Sequence, residues 1–217
     1  MDQLSIAMTI SRQLGSGGAY VGRRLAEHFG FLYMDREILC QAAKELKVFE
    51  EQLEERDERK MTFWESVLQS CTVSSTGGYI PPQLMAVNDS TLYMAESDII
   101  QRLAKDNSAV IIGRAGSYVL KDHPRHMSIF LHAGLDFRIQ RVRELYFVSE
   151  KEAEKMIVKS DQDRKNYFQA IAGQKWMDLQ QYHLTVRTDI LGLDRAEQLI
   201  FDYVQARFGK QSAANCC

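Results

Sequence analysis

The chain has 217 residues, 45% of them hydrophobic and 26% charged, with 27 basic against 29 acidic side chains and a net charge of −2. That is the composition of a globular chain long enough for one domain with a sizeable core. Near-neutrality removes any global electrostatic case for a nucleic-acid polymer or a membrane surface as partner.

In chain order, Leu4–Ile10 is an apolar run expected to form the first strand. It leads into Gly15-Ser16-Gly17-Gly18 and then a helix over Ala19–Phe29 with small and apolar residues on one face. Strand, glycine loop, helix is how a backbone wraps a phosphate: glycines permit positive φ and close approach, and the helix start offers unpaired N–H groups. Gly15, Ser16, Gly17, Gly18, Ala19 and Tyr20 are therefore the expected nucleotide-phosphate residues. The full phosphate-loop motif GxxxxGK[ST] is met only in part, because Gly18 and Ala19 stand where lysine and its hydroxyl neighbour belong. The dinucleotide motif GxGxxG also fails in part: its third glycine is Tyr20, although Asp35 follows at about the required 20 residues.

Phe31–Met34 is a short strand ending at Asp35, and residues 36–55 and 61–70 carry helical periodicity. Residues 72–82, with Gly-Gly and Pro-Pro, read as a loop. A helix over 90–105 leads into Ala109–Ile112, whose unbroken apolar run suits a parallel strand covered on both faces. Met127–Leu131 is the fourth strand, 134–147 and 149–171 are charged helices, Tyr182–Val186 is the fifth strand, and Asp194–Phe208 is a closing helix. The alternation predicts a parallel five-stranded sheet between helical layers, with ligands at the carboxyl ends of the strands. The glycine loop, Asp35, Gly113-Arg114 and His132 all fall at such ends. The strand carrying the loop must be flanked on both sides to bury Ile6, Met8 and Ile10, which gives the strand order 2-3-1-4-5.

Asp35 suits a ribose hydroxyl or a base amine, and equally the N-cap of the helix that follows. Arg114, in a tight loop between Gly113 and Gly116, suits a phosphate held bidentately. Arg138, Arg141 and Arg143, then Lys159, Asp161, Asp163, Arg164 and Lys165, flank a polar helical stretch able to fold over the cleft. Arginines arriving on closure suit phosphoryl transfer, which is mostly positioning and charge cancellation; a solvated helix face is the ordinary alternative for any one of them. His123 and His126 bracket Pro124, which argues against a metal pair, and no protein metal site is expected. Trp64 and Trp176 read as packing residues. Cys40, Cys71, Cys216 and Cys217 lack metal-ligand spacing, so a reduced cytoplasmic protein is expected. No apolar run approaches the roughly 18 residues of a membrane span, and no secretory leader is recognisable.

Five segments, SRQLGSGGAYVGRRLAEHFGFLYMDREIL, VIIGRAGSYVL, IFLHAGLDFRIQRV, DQDRKNYF and YHLTVRT, together resemble the cytidylate kinase-like branch of the P-loop nucleoside monophosphate kinases, over about residues 5 to 205. The resemblance implies a three-layer α/β/α P-loop kinase fold spanning 1–210, an acceptor region over about 36–105, a lid over about 144–165, and a disordered tail at 211–217. It implies ATP and Mg²⁺ as cofactors and CMP or dCMP as acceptor. Donor phosphates fall to Gly15–Gly18; Asp35 and Arg114 contact the acceptor nucleotide, with Asp161 on the lid's returning limb. Arg138 and Arg141 precede the lid and Arg164 belongs to it. Typical cytidylate kinases carry Gly-Lys-Gly-Thr in the loop and Gly-Arg-Asp where this chain has Gly113-Arg114-Ala115. The lost lysine charge leaves Arg12 or a lid arginine to replace it. The readings from other classes are a regulatory nucleotide-binding protein with this fold and little turnover, and a dinucleotide-dependent oxidoreductase.

Overall fold

The computed structural model describes residues 5–35 and 90–209. The helices expected at 36–55 and 61–70, the loop at 72–82 and the tail at 211–217 lie outside the described residues. Five parallel strands, β1 (Ala7–Arg12), β2 (Leu32–Met34), β3 (Ala109–Ile112), β4 (His126–His132) and β5 (Leu184–Arg187), form one sheet in the order β2-β3-β1-β4-β5. The expected order holds; Met8 and Ile10 of the central strand are fully buried, while Ile6 lies just before the strand and is only partly buried. Helices α1 (Gly18–Phe29) and α7 (Leu193–Phe208) cover one face, where Val21, Leu25, Ile200 and Val204 pack on Met8, Ile10, Ile129 and Leu131. Each such side chain contributes about 1.5–3 kcal/mol by leaving water. A Cβ at Gly22 would collide with Ile112, so α1 sits on the sheet as closely as a helix lacking that side chain can.

On the other face, Phe130 and Ala115 meet Phe168, Trp176 and Tyr182. Phe168 comes from α5 (Glu150–Ala172), a 23-residue helix with a Ser149/Glu152 capping box, which follows α4 (Leu135–Tyr146). The sequence gives the segment 144–165 few visible core anchors, yet Ala153 and Ile157 are buried against Ile139 and Val142 of α4 and against Leu14 of the glycine loop. Their spacing of four puts both on one helix face, a signal muted by the charged residues around them. Helix α2 (Ser90–Asp106) leads into β3, and two short helices not foreseen from sequence, α3 (Gly116–Val119) and α6 (Thr188–Leu191), turn the chain after β3 and β5. The fifth strand starts two residues later than the periodicity implies, because Leu179–Gln181 form a 3-10 turn capped by the Tyr182 N–H, which donates to the Leu179 carbonyl. Among the described residues, no helix is long and apolar enough to cross a membrane.

At the opposite end of the sheet from the glycine loop, His126 is buried with its Nε2 2.8 Å from the Thr9 hydroxyl. Burial, helped by His183, His123 and Arg207, pushes its pKa down from 6.5 to about 3. The unfolded chain takes up this proton near pH 6.5 and the folded chain does not until about pH 3, so stability is fully present above 6.5 and falls as pH drops through that window. Urea melts between pH 7 and about pH 4.5 should show stability falling by at most about 1.4 kcal/mol per pH unit from this group, and His126→Gln should flatten the slope. Equal slopes for the two proteins would exclude His126 as the source.

Candidate active site

The glycine loop is braced before any ligand is considered. Gly15 and Gly17 have φ of 82° and 84°, and a Cβ on Gly15 would stand 2.7 Å from the Arg138 carbonyl oxygen. Ser16 is fully buried, the single proton of its hydroxyl shared between the carbonyls of Gln13 (2.9 Å) and Leu131 (3.1 Å). The Thr188 hydroxyl, at the start of α6, reaches the Ser16 carbonyl at 2.9 Å and the His132 carbonyl at 3.2 Å. Leu14 is clamped on both sides of its peptide: its N–H donates to Asp161 Oδ1 at 3.2 Å, and Arg138 Nε donates to its carbonyl at 2.6 Å. Arg138 and Asp161 are themselves ion-paired, Nη2 to Oδ2, with Arg138 only 5% exposed. A buried pair of this kind costs about 3–5 kcal/mol to break from one side. The structure thus brings Arg138 and Asp161 to the loop, as braces tying α4 and α5 to it.

Helix α1 begins at Gly18 with no side-chain cap, so the N–H groups of Gly18, Ala19 and Tyr20 have no intrahelical partner and point out of its N-terminus, where the dipole favours an anion. The Tyr20 hydroxyl does not join them; it donates to Asp194 at 3.0 Å and lies within 3.3 Å of Arg24. Among the described residues, no group of three His, Cys, Asp or Glu side chains is placed to hold a metal ion.

Arg12 leaves the end of β1 and crosses the face of this helix start. A Cβ on Gly18 would lie 2.6 Å from Arg12 Cγ and 2.7 Å from its Cβ, and one on Gly113 would collide with Nη1. The arginine stem therefore fills the space a side chain at Gly18 would need, and its head rests over the backbone that ends β3. Burial pushes the Arg12 pKa down to about 9, with Arg164 and Arg114 adding to the fall while Tyr33 and Asp35 oppose it. Three cations, Arg12, Arg114 and Arg164, thus converge at the carboxyl end of the sheet, with the Asp35 carboxylate acting on Arg12. Tyr146 is placed beside them: burial raises its pKa, and Arg164 and Arg12 pull it back. Arg164 also lies 3.6 Å from Asp161. Arg141 is not among the charges acting on Arg12; its guanidinium lies 5.9 Å over the Phe137 ring.

Arg114 pairs with Glu96 of α2 at 3.2 Å and lies 5.8 Å over the ring of Tyr167 on α5. Sequence reasoning found Arg114 but neither partner, since nothing in the periodicity of 90–105 marks one buried glutamate. Gly113, flagged only as a loop former, proves to be the residue whose missing side chain lets Arg12 through. An array of backbone N–H groups beside converging arginines is suited to hold a polyphosphate and to cancel charge on a phosphoryl group in transit.

A family model described as the cytidylate kinase-like family matches residues 7–190. Among solved structures, an uncharacterized protein from Eubacterium ventriosum ATCC 27560 superposes with a TM-score of 0.70 at 25% identity, over 94% of this chain and all of that one. Shikimate kinase from Bacteroides thetaiotaomicron superposes at 0.52 with 12% identity over 92% of this chain and 98% of the other. Shikimate kinase from Acinetobacter baumannii, in complex with shikimate, gives 0.51 and 17% over 94% and 96%. With these two kinases the likeness is one of fold. No curated protein is similar enough in sequence to match.

Proposed function

The chain belongs to the cytidylate kinase-like family, and from that premise we propose that it transfers the γ-phosphoryl group of ATP to a nucleoside monophosphate, with CMP or dCMP as acceptor. Family and fold both support a nucleotide kinase-type activity. The observation that carries the finer reading is the position of Arg12. With Gly17 as the second glycine of GxxxxGK, Gly18 holds the lysine position and Arg12 holds that of the first glycine. The Arg12 stem occupies the space beside Gly18 and carries its guanidinium on to Gly113, so a cation stands at the carboxyl end of the sheet next to a loop that lacks its lysine.

In this reading the N–H groups from Gly17 to Tyr20 hold the donor phosphates. Arg12 and Arg164 neutralise the moving phosphoryl group, and Arg114 with Asp35 holds the acceptor. Because phosphoryl transfer asks for little covalent chemistry from the protein, three preplaced cations supply most of what is needed. Arg138 and Asp161 act through the loop they brace. Residues 144–165 form the lid, carried on the packed α4–α5 pair. Mg²⁺ entering with ATP would cancel charge on the phosphates, and the loop would supply no hydroxyl to it because Ala19 stands where the motif has Ser or Thr. A reducing cytoplasm is the proposed compartment.

ADP release measured across a panel of nucleoside monophosphates tests this reading. CMP or dCMP should give the highest kcat/KM, by about tenfold or more over purine nucleotides. ATP binding without transfer to any acceptor would instead favour the regulatory protein; Tyr20 in place of a third glycine already disfavours the oxidoreductase.

A further inference from the structure

Glu96 is 5% exposed, and both of its carboxylate oxygens are committed. Oε1 lies 3.2 Å from Arg114 Nη2, and Oε2 accepts a hydrogen bond from the Tyr167 hydroxyl at 3.0 Å. The Arg114 guanidinium in turn lies over the Tyr167 ring at 5.8 Å. Burial works against the charge on Arg114, but Glu96 and Tyr167 outweigh it and raise the pKa above its ordinary value. Burial, and then the nearby Glu96 charge, raise that of Tyr167, so its hydroxyl stays a donor at any working pH. The three side chains come from three separate elements: Glu96 from α2, Arg114 from the turn after β3, Tyr167 from α5.

The backbone beneath them is unusual. Gly113, Arg114 and Ala115 are consecutive residues with φ of 76°, 55° and 50°. Two of these are not glycine, and side-chain-bearing residues persist in the left-handed region only where their surroundings hold them. Ala115 is held by burial among Phe130, Phe168 and Trp176, and Arg114 by Glu96. The turn aims a guanidinium instead of letting it sweep through its rotamers. Glu96 engages Nη2 and Tyr167 also hydrogen-bonds the guanidinium, so two partners from two helices fix the plane in which the fork meets an incoming anion.

We infer that Glu96 and Tyr167 are positioning residues of the acceptor site, orienting Arg114 toward the acceptor's phosphate and joining α5 to α2 through that same contact. The inference rests on the proposed function for the identity of the acceptor, but the join between the helices does not.

Two variants test it. Glu96→Gln keeps the shape and one hydrogen bond while removing the charge; Tyr167→Phe removes only the hydroxyl. With ATP saturating, the KM for CMP should rise about 10- to 50-fold in Glu96→Gln and about 3- to 10-fold in Tyr167→Phe, while the KM for ATP stays within about twofold of wild type. Amide hydrogen exchange in ligand-free protein should quicken by about tenfold over residues 161–170 in both variants, with the sheet unaffected. An unchanged KM for CMP in both variants, or an equal rise for CMP and ATP, would overturn the inference. Should Glu96→Gln fail to fold, Tyr167→Phe alone decides. Should the wild type neither bind nor phosphorylate CMP, the proposed function falls, and exchange decides the join by itself: no acceleration in either variant overturns it.

Discussion

Replacing Arg12 by alanine is expected to lower kcat for phosphoryl transfer by about 10- to 1,000-fold, with the fold intact and the KM for ATP little changed. One preorganised charge at a transferring phosphoryl group is worth a few kcal/mol in the transition state, and the Arg12 stem passes beside Gly18 to place its guanidinium at Gly113. The substitution should not destabilise the protein. Burial and the charges of Arg164 and Arg114 push its pKa down to about 9, so in the ligand-free protein Arg12 carries its charge at a cost. Bound phosphates relieve that cost, and removing the side chain relieves it too. Thermal melts of Arg12→Ala should therefore match or exceed wild type while turnover collapses. Unchanged turnover would dismiss Arg12 from the role, and a large loss of melting temperature would make it a packing residue.

The second large effect concerns the exchange of places between Arg12 and the missing lysine. Gly18→Lys alone should be as damaging as Arg12→Ala, about 10- to 1,000-fold in kcat, because its Cβ would stand 2.6 Å from Arg12 Cγ and two cations would contend for one space. Adding Arg12→Gly removes the obstruction and recreates GxxxxGK with lysine in its ordinary place. The double variant should recover to within about tenfold of wild type, a coupling far larger than additivity allows. Losses that simply multiply in the double variant would mean that the two positions do not share one space or one task.

The sheet order and the glycine loop were legible because they rest on local signals: an apolar run, a glycine cluster, a helix start. The placement of Arg12, Asp35 and Arg114 at the carboxyl end of the sheet follows from the same signals, since Arg12 closes β1 and the other two follow β2 and β3. What could not be read is which helix faces meet. Arg138 and Asp161 were read as charges waiting for a ligand, and the structure spends them on each other and on the Leu14 peptide. Glu96 and Tyr167 are 71 residues apart, and a single sequence carries no trace of their contact. Ser16 sits in the loop as expected, but its hydroxyl turns inward to Gln13 and Leu131, leaving phosphate binding to backbone. Helical charge patterns report that a face is polar; they do not report whether water, a partner side chain or a substrate answers it.

The central claim is that a loop without lysine transfers phosphate because Arg12 supplies the charge. A single-turnover measurement with γ-labelled ATP and CMP, run on wild type and Arg12→Ala at matched ATP occupancy, tests it most directly. Wild type should yield labelled CDP, and transfer should slow by about 10- to 1,000-fold in the variant. Equal rates in the two proteins, or bound ATP whose label never reaches CMP in either, would contradict it.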